Sequence, residues 1–545
     1  MSGRPAMLDG GFSDIWQGIA RAAPDRIAMV TPSGHRWTYG RFAREAGALG
    51  SRLSGLGLRP GDRVGIVLYN RPEFLITLFA CLAHGFTPVP MNFRYRSIEL
   101  AGLLMDSEPR AIVYAGSYRA LVADAVAIAH EAVAFIEVSD EGTATSEAIP
   151  WDEVIAGDGV LPERAPADGE MWIYTGGTTG QPKAVRWPAI EMLRSKLFSI
   201  YDMNGLEQPA SLDAAVATAL HYGRAQLVNL PLAPFMHGTA LSLAISALAL
   251  GGTVVVTSSA RFHPDAAVRL ALREGATQIV VAGDAVAIPL ADAAERMNVT
   301  LPLVSSVVSS GMRFSASTKH RLHLLGDLAI TDIIASSEGG GFAVTVTKGV
   351  GDLPGRARLY PDAVVIDENG RRVDDTVGAR GMLARPGAIP IGYFRDEERT
   401  AAAFPVIDGV RYVMPGDWVI VEDDRHVEML GRGSAVINSG GEKIYPDEVE
   451  DVLLSHPAVR DAVVVGVPDE RFGEIVAAAI VLGESGTATQ AELAGYVGER
   501  LAPYKKPRAI VFRSRIARGV TGKIDLALLR AEMVQELHER ADAPS

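Results

Sequence analysis

Cysteine is almost absent: Cys81 is the single one in 545 residues. No internal disulfide can form, so a stapled secreted framework is excluded. Cys81 lies in an apolar helical run and reads as a core residue. Aromatics are sparse at 7%, and positive charge is the minority, 52 Lys and Arg against 65 Asp and Glu, for a formal net charge of −13. That balance argues against a nucleic-acid partner. An anionic ligand would have to meet local positive charge instead. Long hydrophobic runs are lacking too. Met1 to Phe12 has no apolar stretch, so no signal peptide is expected. The nearest approach to a membrane span is Thr239 to Val256. It is broken by Gly251-Gly252 and continues as β-branched Thr253-Val-Val-Val256, so it reads as a buried helix, a turn and a strand. The expectation is a cytoplasmic protein without a membrane span. The sequence sets no oligomeric state, and a homodimer is compatible with it.

What is present describes a globular α/β chain. Hydrophobic residues make up 48% and charged residues 21%, and the length exceeds one core. Arg63 to Leu68 reads as a buried strand, and Pro72 to Gly85 as a helix with proline early and glycine at its end. Ala111 to Tyr114 and Ala134 to Val138 are further strands. Later strands are expected at Thr277 to Gly283, Leu303 to Gly311 and Ala329 to Glu338. Strands alternating with helices imply largely parallel sheets covered on both faces, with ligands at the carboxyl ends of the strands.

The densest chemistry is Tyr174-Thr-Gly-Gly-Thr-Thr-Gly-Gln-Pro-Lys183. Met171-Trp-Ile173 before it reads as the end of a strand. Glycines let backbone N–H groups turn towards an anion, threonines add hydroxyl donors, and lysine adds a mobile charge. This is a phosphate cradle, against the alternative of a Gly/Thr-rich surface turn. It is not the common P-loop: the five-residue offset from Gly176 lands on Gln181, and Lys183 is followed by Ala184. A second motif, Ala329-Ile-Thr-Asp-Ile-Ile-Ala-Ser-Ser-Glu338, ends a strand in two hydroxyls and a carboxylate. Magnesium takes hard oxygen ligands and keeps waters, so one glutamate beside a triphosphate would suffice.

Thr175 to Lys183 resembles the signature loop of the adenylate-forming enzymes: acyl-CoA synthetases, luciferases and carrier-loading adenylation domains. The resemblance runs from about Phe12 to Ile524. It implies a large N-terminal α/β domain of layered sheets, 1–432, and a small mobile C-terminal α/β domain, 433–545. It also implies ATP, Mg2+ and CoA as cofactors and a small-molecule carboxylic acid as the other partner. Thr175, Gly176, Gly177, Thr178, Thr179, Gly180 and Lys183 would hold phosphates, and Glu338 with Thr175 the metal. Ser310, Gly311, Asp332, Ser336 and Ser337 would border the nucleotide. Asp417, in Pro415-Gly-Asp417, would accept the ribose hydroxyls, since a carboxylate suits a vicinal diol. Arg432 would reach the ribose or a phosphate.

Pro231-Leu-Ala-Pro-Phe-Met-His-Gly238 would form the mouth of the acyl pocket, with Phe235, Met236, Gly283 and Asp284 along it and His237 orienting the carboxylate. Ser439, Gly440 and Gly441 would face the pantetheine arm. Lys523, in Arg518-Gly-Val-Thr-Gly-Lys-Ile524, takes the catalytic lysine's position. The family's usual adenine-stacking aromatic is missing at Ile334-Ala-Ser-Ser-Glu338, and Gly433-Ser434-Ala435 supplies no charged hinge. Ile330-Thr-Asp332, Ser336-Ser-Glu338, Pro390-Ile-Gly-Tyr-Phe394, Pro415-Gly-Asp417 and Gly431-Arg-Gly-Ser434 together are most similar to bacterial ligases of steroid side-chain carboxylates. A steroid or bulky alicyclic acid is therefore favoured. A medium- or long-chain fatty acid, an aryl acid and a carrier-protein acceptor are the alternatives.

Overall fold

Proline at the start and a left-handed glycine at the end bound the helix Pro72–His84, where Gly85 has φ 78°. The computed structural model describes residues 9–130, 133–140, 148–175, 182–222, 227–312, 314–423, 425–432, 437–439, 442–469, 473–483, 486–501, 503–518 and 524–541. Within them the chain forms two units. The first spans Met1–Gly176, Gln181–Asp362 and Arg385–Val413; the second holds Ala363–Ala384 and Met414–Ser545. The second unit thus takes in 363–384 and 414–432 as well as the residues from 433 onward.

In the first unit, five parallel strands lie in the order Thr87–Pro90, Arg63–Val67, Ala111–Ala115, Ala134–Val138, Ile149–Pro150. A larger sheet runs Ile27–Val30, Thr253–Val255, Val228–Pro231, Gln278–Val281, Ser306–Ser310, Ala329–Ser336, all parallel. Gly340–Thr347 then returns antiparallel. The strand expected over Leu303 to Gly311 begins only at Ser306, and Leu303 itself is 62% exposed. The apolar stretch after Thr239 is the buried helix Gly238–Ala249, a turn and the strand Thr253–Val255. Cys81 is fully buried. No described helix is long and apolar enough to cross a membrane.

A third, antiparallel sheet joins Glu170–Thr175, Lys183–Pro188 and Gly392–Tyr393. Its Trp172 and Ala184 pack with Met91, Phe93, Tyr114 and Met236 in one core cluster. This burial fixes the small sheet against the residues that follow Val228–Pro231.

The second unit contains an antiparallel ladder in which Arg380–Met382 pairs with Trp418–Ile420, and Asp417–Val421 with His426–Arg432. It also contains the sheet Glu442–Ile444, Ile437–Ser439, Gly473–Leu482, Val459–Asp469, with Ala509–Phe512 parallel to Gly473–Leu482. Alternation along Val459–Asp469 sends Val464 to one face of this sheet and Val463 and Val465 to the other. Val449 and Leu453 of helix Pro446–Leu454 cover the first face, and Leu529 and Met533 of helix Leu526–Ala541 the second.

Candidate active site

Parallel strands place their carboxyl ends on one edge, and four of them bring predicted residues there. After Val228–Pro231 comes His237, the residue that caps helix Gly238–Ala249. After Gln278–Val281 comes Gly283, whose N–H donates to Ser309 Oγ at 3.0 Å. Ser306–Ser310 ends at Ser310, with Gly311 turning at φ 78°. Ala329–Ser336 ends beside Ser337 and Glu338. Its register shifts between Ile334 and Ala335, an irregularity that re-aims the side chains after it.

Glu338 is 9% exposed and accepts a hydrogen bond at Oε1 from Tyr393 Oη at 2.8 Å. Oε2 has no hydrogen bond from any described residue. Burial, reinforced by the Glu338 charge, pushes the Tyr393 phenol far above its ordinary value, so it remains the donor. The backbone around Glu338 is tied down as well. Trp187 Nε1 donates to Ser337 O at 2.9 Å. Arg385, 2% exposed, pairs with Asp362 at 2.6 Å, and its Nη1 donates to Ser195 Oγ at 3.2 Å, Gly339 O at 3.2 Å and Gly341 O at 3.3 Å. Lys196 stands beside this cluster, its Nζ 5.7 Å from the Trp187 ring centroid. Burial, with Arg385 nearby, pushes its amine down to about 8.

Thr175 and Lys183 are register partners at the end of the hairpin between Glu170–Thr175 and Lys183–Pro188. The cradle therefore starts and ends at neighbouring points of one sheet edge. Gly176, Gly177, Thr178, Thr179 and Gly180 lie outside the described residues.

Residues 16–388 match the AMP-binding enzyme family, and residues 448–523 match the AMP-binding enzyme C-terminal domain. The chain belongs to the AMP-binding enzyme family. A Mycolicibacterium smegmatis relative, a medium/long-chain-fatty-acid–CoA/3-oxocholest-4-en-26-oate–CoA ligase, is 37% identical over 94% of this chain and 95% of that protein. A Rhodococcus rhodochrous 3-oxocholest-4-en-26-oate–CoA ligase is 35% identical over 94% of each. Among solved structures, ATP-bound MatB from Rhodopseudomonas palustris superposes with a TM-score of 0.80. It covers 96% of this chain and 99% of its own, at 24% identity, a likeness of fold.

The other residues expected at the site have these surroundings. Phe235 is fully buried, its ring centroid 5.3 Å from that of Phe74, and its N–H donates to Asn70 Oδ1 at 2.7 Å. Met236 is 6% exposed within the core cluster around Trp172. Both side chains are enclosed by packing. Asp284 accepts from Ser315 N and Oγ, both at 3.1 Å, which ties it to the start of helix Ala316–His323. Asp332 pairs with Lys319 at 2.8 Å, and burial raises its carboxyl in spite of that lysine. These two acids therefore have partners inside the fold. In the second unit, Asp417 is 8% exposed at the start of its strand, opposite Arg432 in register. Ser439 is 7% exposed at the end of Ile437–Ser439. Gly440, Gly441 and Lys523 lie outside the described residues.

Sequence reasoning passed over Tyr393, Trp187, Arg385 and Lys196. Only Tyr393 lay in a quoted motif, and nothing local ties it to a glutamate 55 positions away.

Proposed function

We propose that this AMP-binding enzyme activates a carboxylic acid with ATP, through an acyl-adenylate, to its CoA thioester. The acid we infer is a steroid side-chain or bulky alicyclic acid. The supporting observation is the likeness along 94% of the chain to ligases named for 3-oxocholest-4-en-26-oate. Those with the double name also carry medium- and long-chain fatty acids, which makes such acids the second reading.

The substrate carboxylate would attack the ATP α-phosphorus. An oxygen–phosphorus bond forms, the bond to the pyrophosphate oxygen breaks, pyrophosphate leaves, and the acyl group is joined to AMP as a mixed anhydride. An anion must approach a polyanion, so positioning and charge neutralisation are the main tasks. The loop from Thr175 to Lys183 would cradle the β- and γ-phosphates. Ser336 and Ser337 would donate to phosphate oxygens, and Ser310, Gly311 and Asp332 would border the nucleotide. Asp417 and Arg432 would hold the ribose. His237 would orient the acid, with Phe235, Met236, Gly283 and Asp284 around it. Lys523 would bridge the incoming carboxylate and the α-phosphate.

A magnesium ion fits the residues present. Glu338 offers Oε2, a hard oxygen without a donor among the described residues, on a carboxylate whose other oxygen is fixed. Thr175 would add a hydroxyl. Such an ion supplies charge that screens the phosphates during the displacement.

In the second step the CoA thiol attacks the acyl carbon; a carbon–sulfur bond forms, the acyl bond to the phosphate oxygen breaks, AMP leaves and the thiol proton passes to solvent. Ser439, Gly440 and Gly441 would meet the pantetheine arm once the C-terminal part, from 433 onward, has turned. The test is formation of AMP and acyl-CoA across steroid, fatty and aryl acids. Turnover of fatty acids alone would support the second reading. Adenylation without CoA consumption would point to a carrier-protein acceptor.

A further inference from the structure

We propose that Tyr393 is a positioning residue for the metal-holding carboxylate, setting how tightly the site takes a divalent cation with its nucleotide. The inference rests on the role assigned to Glu338 above. Tyr393 and Glu338 are 8% and 9% exposed, so their 2.8 Å hydrogen bond is shielded from water. A carboxylate can accept at either oxygen. Here the phenol takes Oε1 and leaves Oε2 to an incoming ion.

The tyrosine is itself held firmly. Its N–H donates to Thr400 Oγ1 at 2.9 Å, and Thr400 Oγ1 donates in turn to Asp396 O at 2.7 Å. The Arg399 guanidinium lies 4.5 Å from the ring centroid, and Phe404 meets the ring edge-on at 6.1 Å. Glycine is required before it. Gly392 has φ 148°, and a Cβ there would come within 2.4 Å of Thr400 Cγ2. Tyr393 also pairs with Val185, two residues into the strand that starts at Lys183.

Trp187 of that same strand holds the Ser337 carbonyl. The strand leaving the phosphate cradle therefore controls the Glu338 turn twice, at its backbone through Trp187 and at its carboxylate through Tyr393. Lys183 and the metal ligand are thereby kept in one frame. Hydrogen-bond partners of metal ligands are typically worth about 10–100-fold in metal affinity or activity.

The test is Tyr393→Phe, which removes one oxygen and keeps the ring. Mn2+ binding is measured by electron paramagnetic resonance in the presence of a non-hydrolysable ATP analogue. The Mg2+ dependence of acid-dependent pyrophosphate release is measured beside it. The expected result is Mn2+ affinity weaker by about 10-fold or more, a matching rise in the Mg2+ requirement, and kcat at saturating Mg2+ within a few-fold of wild type. Phe404→Leu is the control, since it loosens the packing of the ring and keeps the hydroxyl. It should lower the melting temperature and leave Mn2+ affinity unchanged. Unchanged Mn2+ affinity in Tyr393→Phe overturns the proposal, as does equal weakening by Phe404→Leu. Mn2+ that fails to bind wild type with nucleotide overturns it together with the Glu338 role. Tight Mn2+–nucleotide binding without turnover of any acid would sink the ligase reading while leaving the Tyr393 result to stand.

Discussion

Glu338→Gln separates charge from shape at the turn proposed to hold the metal. The amide is isosteric, and its oxygen can still accept the Tyr393 hydrogen bond now made to Oε1. Trp187 and Arg385 bind backbone carbonyls of the turn, which the substitution leaves in place. The fold should therefore lose no more than about 1 kcal/mol, the scale of one altered hydrogen bond. The reaction loses much more. The freed Oε2 is replaced by an NH2 donor, which offers a cation nothing. Removing a charge contact aimed at the phosphates costs on the order of 3–4 kcal/mol, a few hundredfold in rate. The assay is pyrophosphate release against Mg2+ concentration, with a denaturant melt on the same preparation. A rate within threefold of wild type at every Mg2+ concentration would refute the reasoning. So would a rate loss explained by a proportionate loss of folded protein.

Lys523→Ala should block adenylation and spare thioester formation from a supplied acyl-adenylate; equal loss of both half-reactions, measured separately, would remove its assigned role. Arg385→Met strands Asp362 and frees the carbonyls of Gly339 and Gly341. It should cost about 3–5 kcal/mol in urea unfolding, and an unchanged midpoint would count against the buried network. Lys196→Met has a pH signature. In the unfolded chain the amine releases its proton near 10.5, in the folded chain near 8. Between those values the unfolded state holds more protons, so raising the pH stabilises the wild type. Below pH 8 the methionine variant should be the more stable by about 1–3 kcal/mol, and its advantage should shrink as the pH rises through 8 towards 10.5. A pH-independent difference would contradict the depressed amine.

Local pattern carried much of the fold. The glycine after His84, the Gly251-Gly252 break and the β-branched runs each mark an element end through backbone freedom or side-chain shape, and those ends stand where expected. The strand that leads into the cradle was legible for the same reason, while the one that leaves it, Lys183–Pro188, was not expected. Contacts distant in sequence were not. Tyr393 reaches Glu338, and Arg385 reaches Ser195, only because a strand pairing or a buried turn brings them together. Asp284 and Asp332 show the converse. Each follows or lies within a strand of the right edge, yet each has a partner supplied by Ser315 or Lys319, which no strand pattern reveals. The clustering of 363–384 with residues beyond 414 has the same origin, since Arg380–Met382 pairs with Trp418–Ile420.

The most direct measurement is acid-dependent formation of AMP and acyl-CoA with ATP, Mg2+ and CoA, using a steroid side-chain acid beside fatty and aryl acids. The account predicts stoichiometric AMP and acyl-CoA, with the highest kcat/KM for the steroid acid. ATP turnover that yields ADP, or no thioester from any acid while the nucleotide binds, would contradict it.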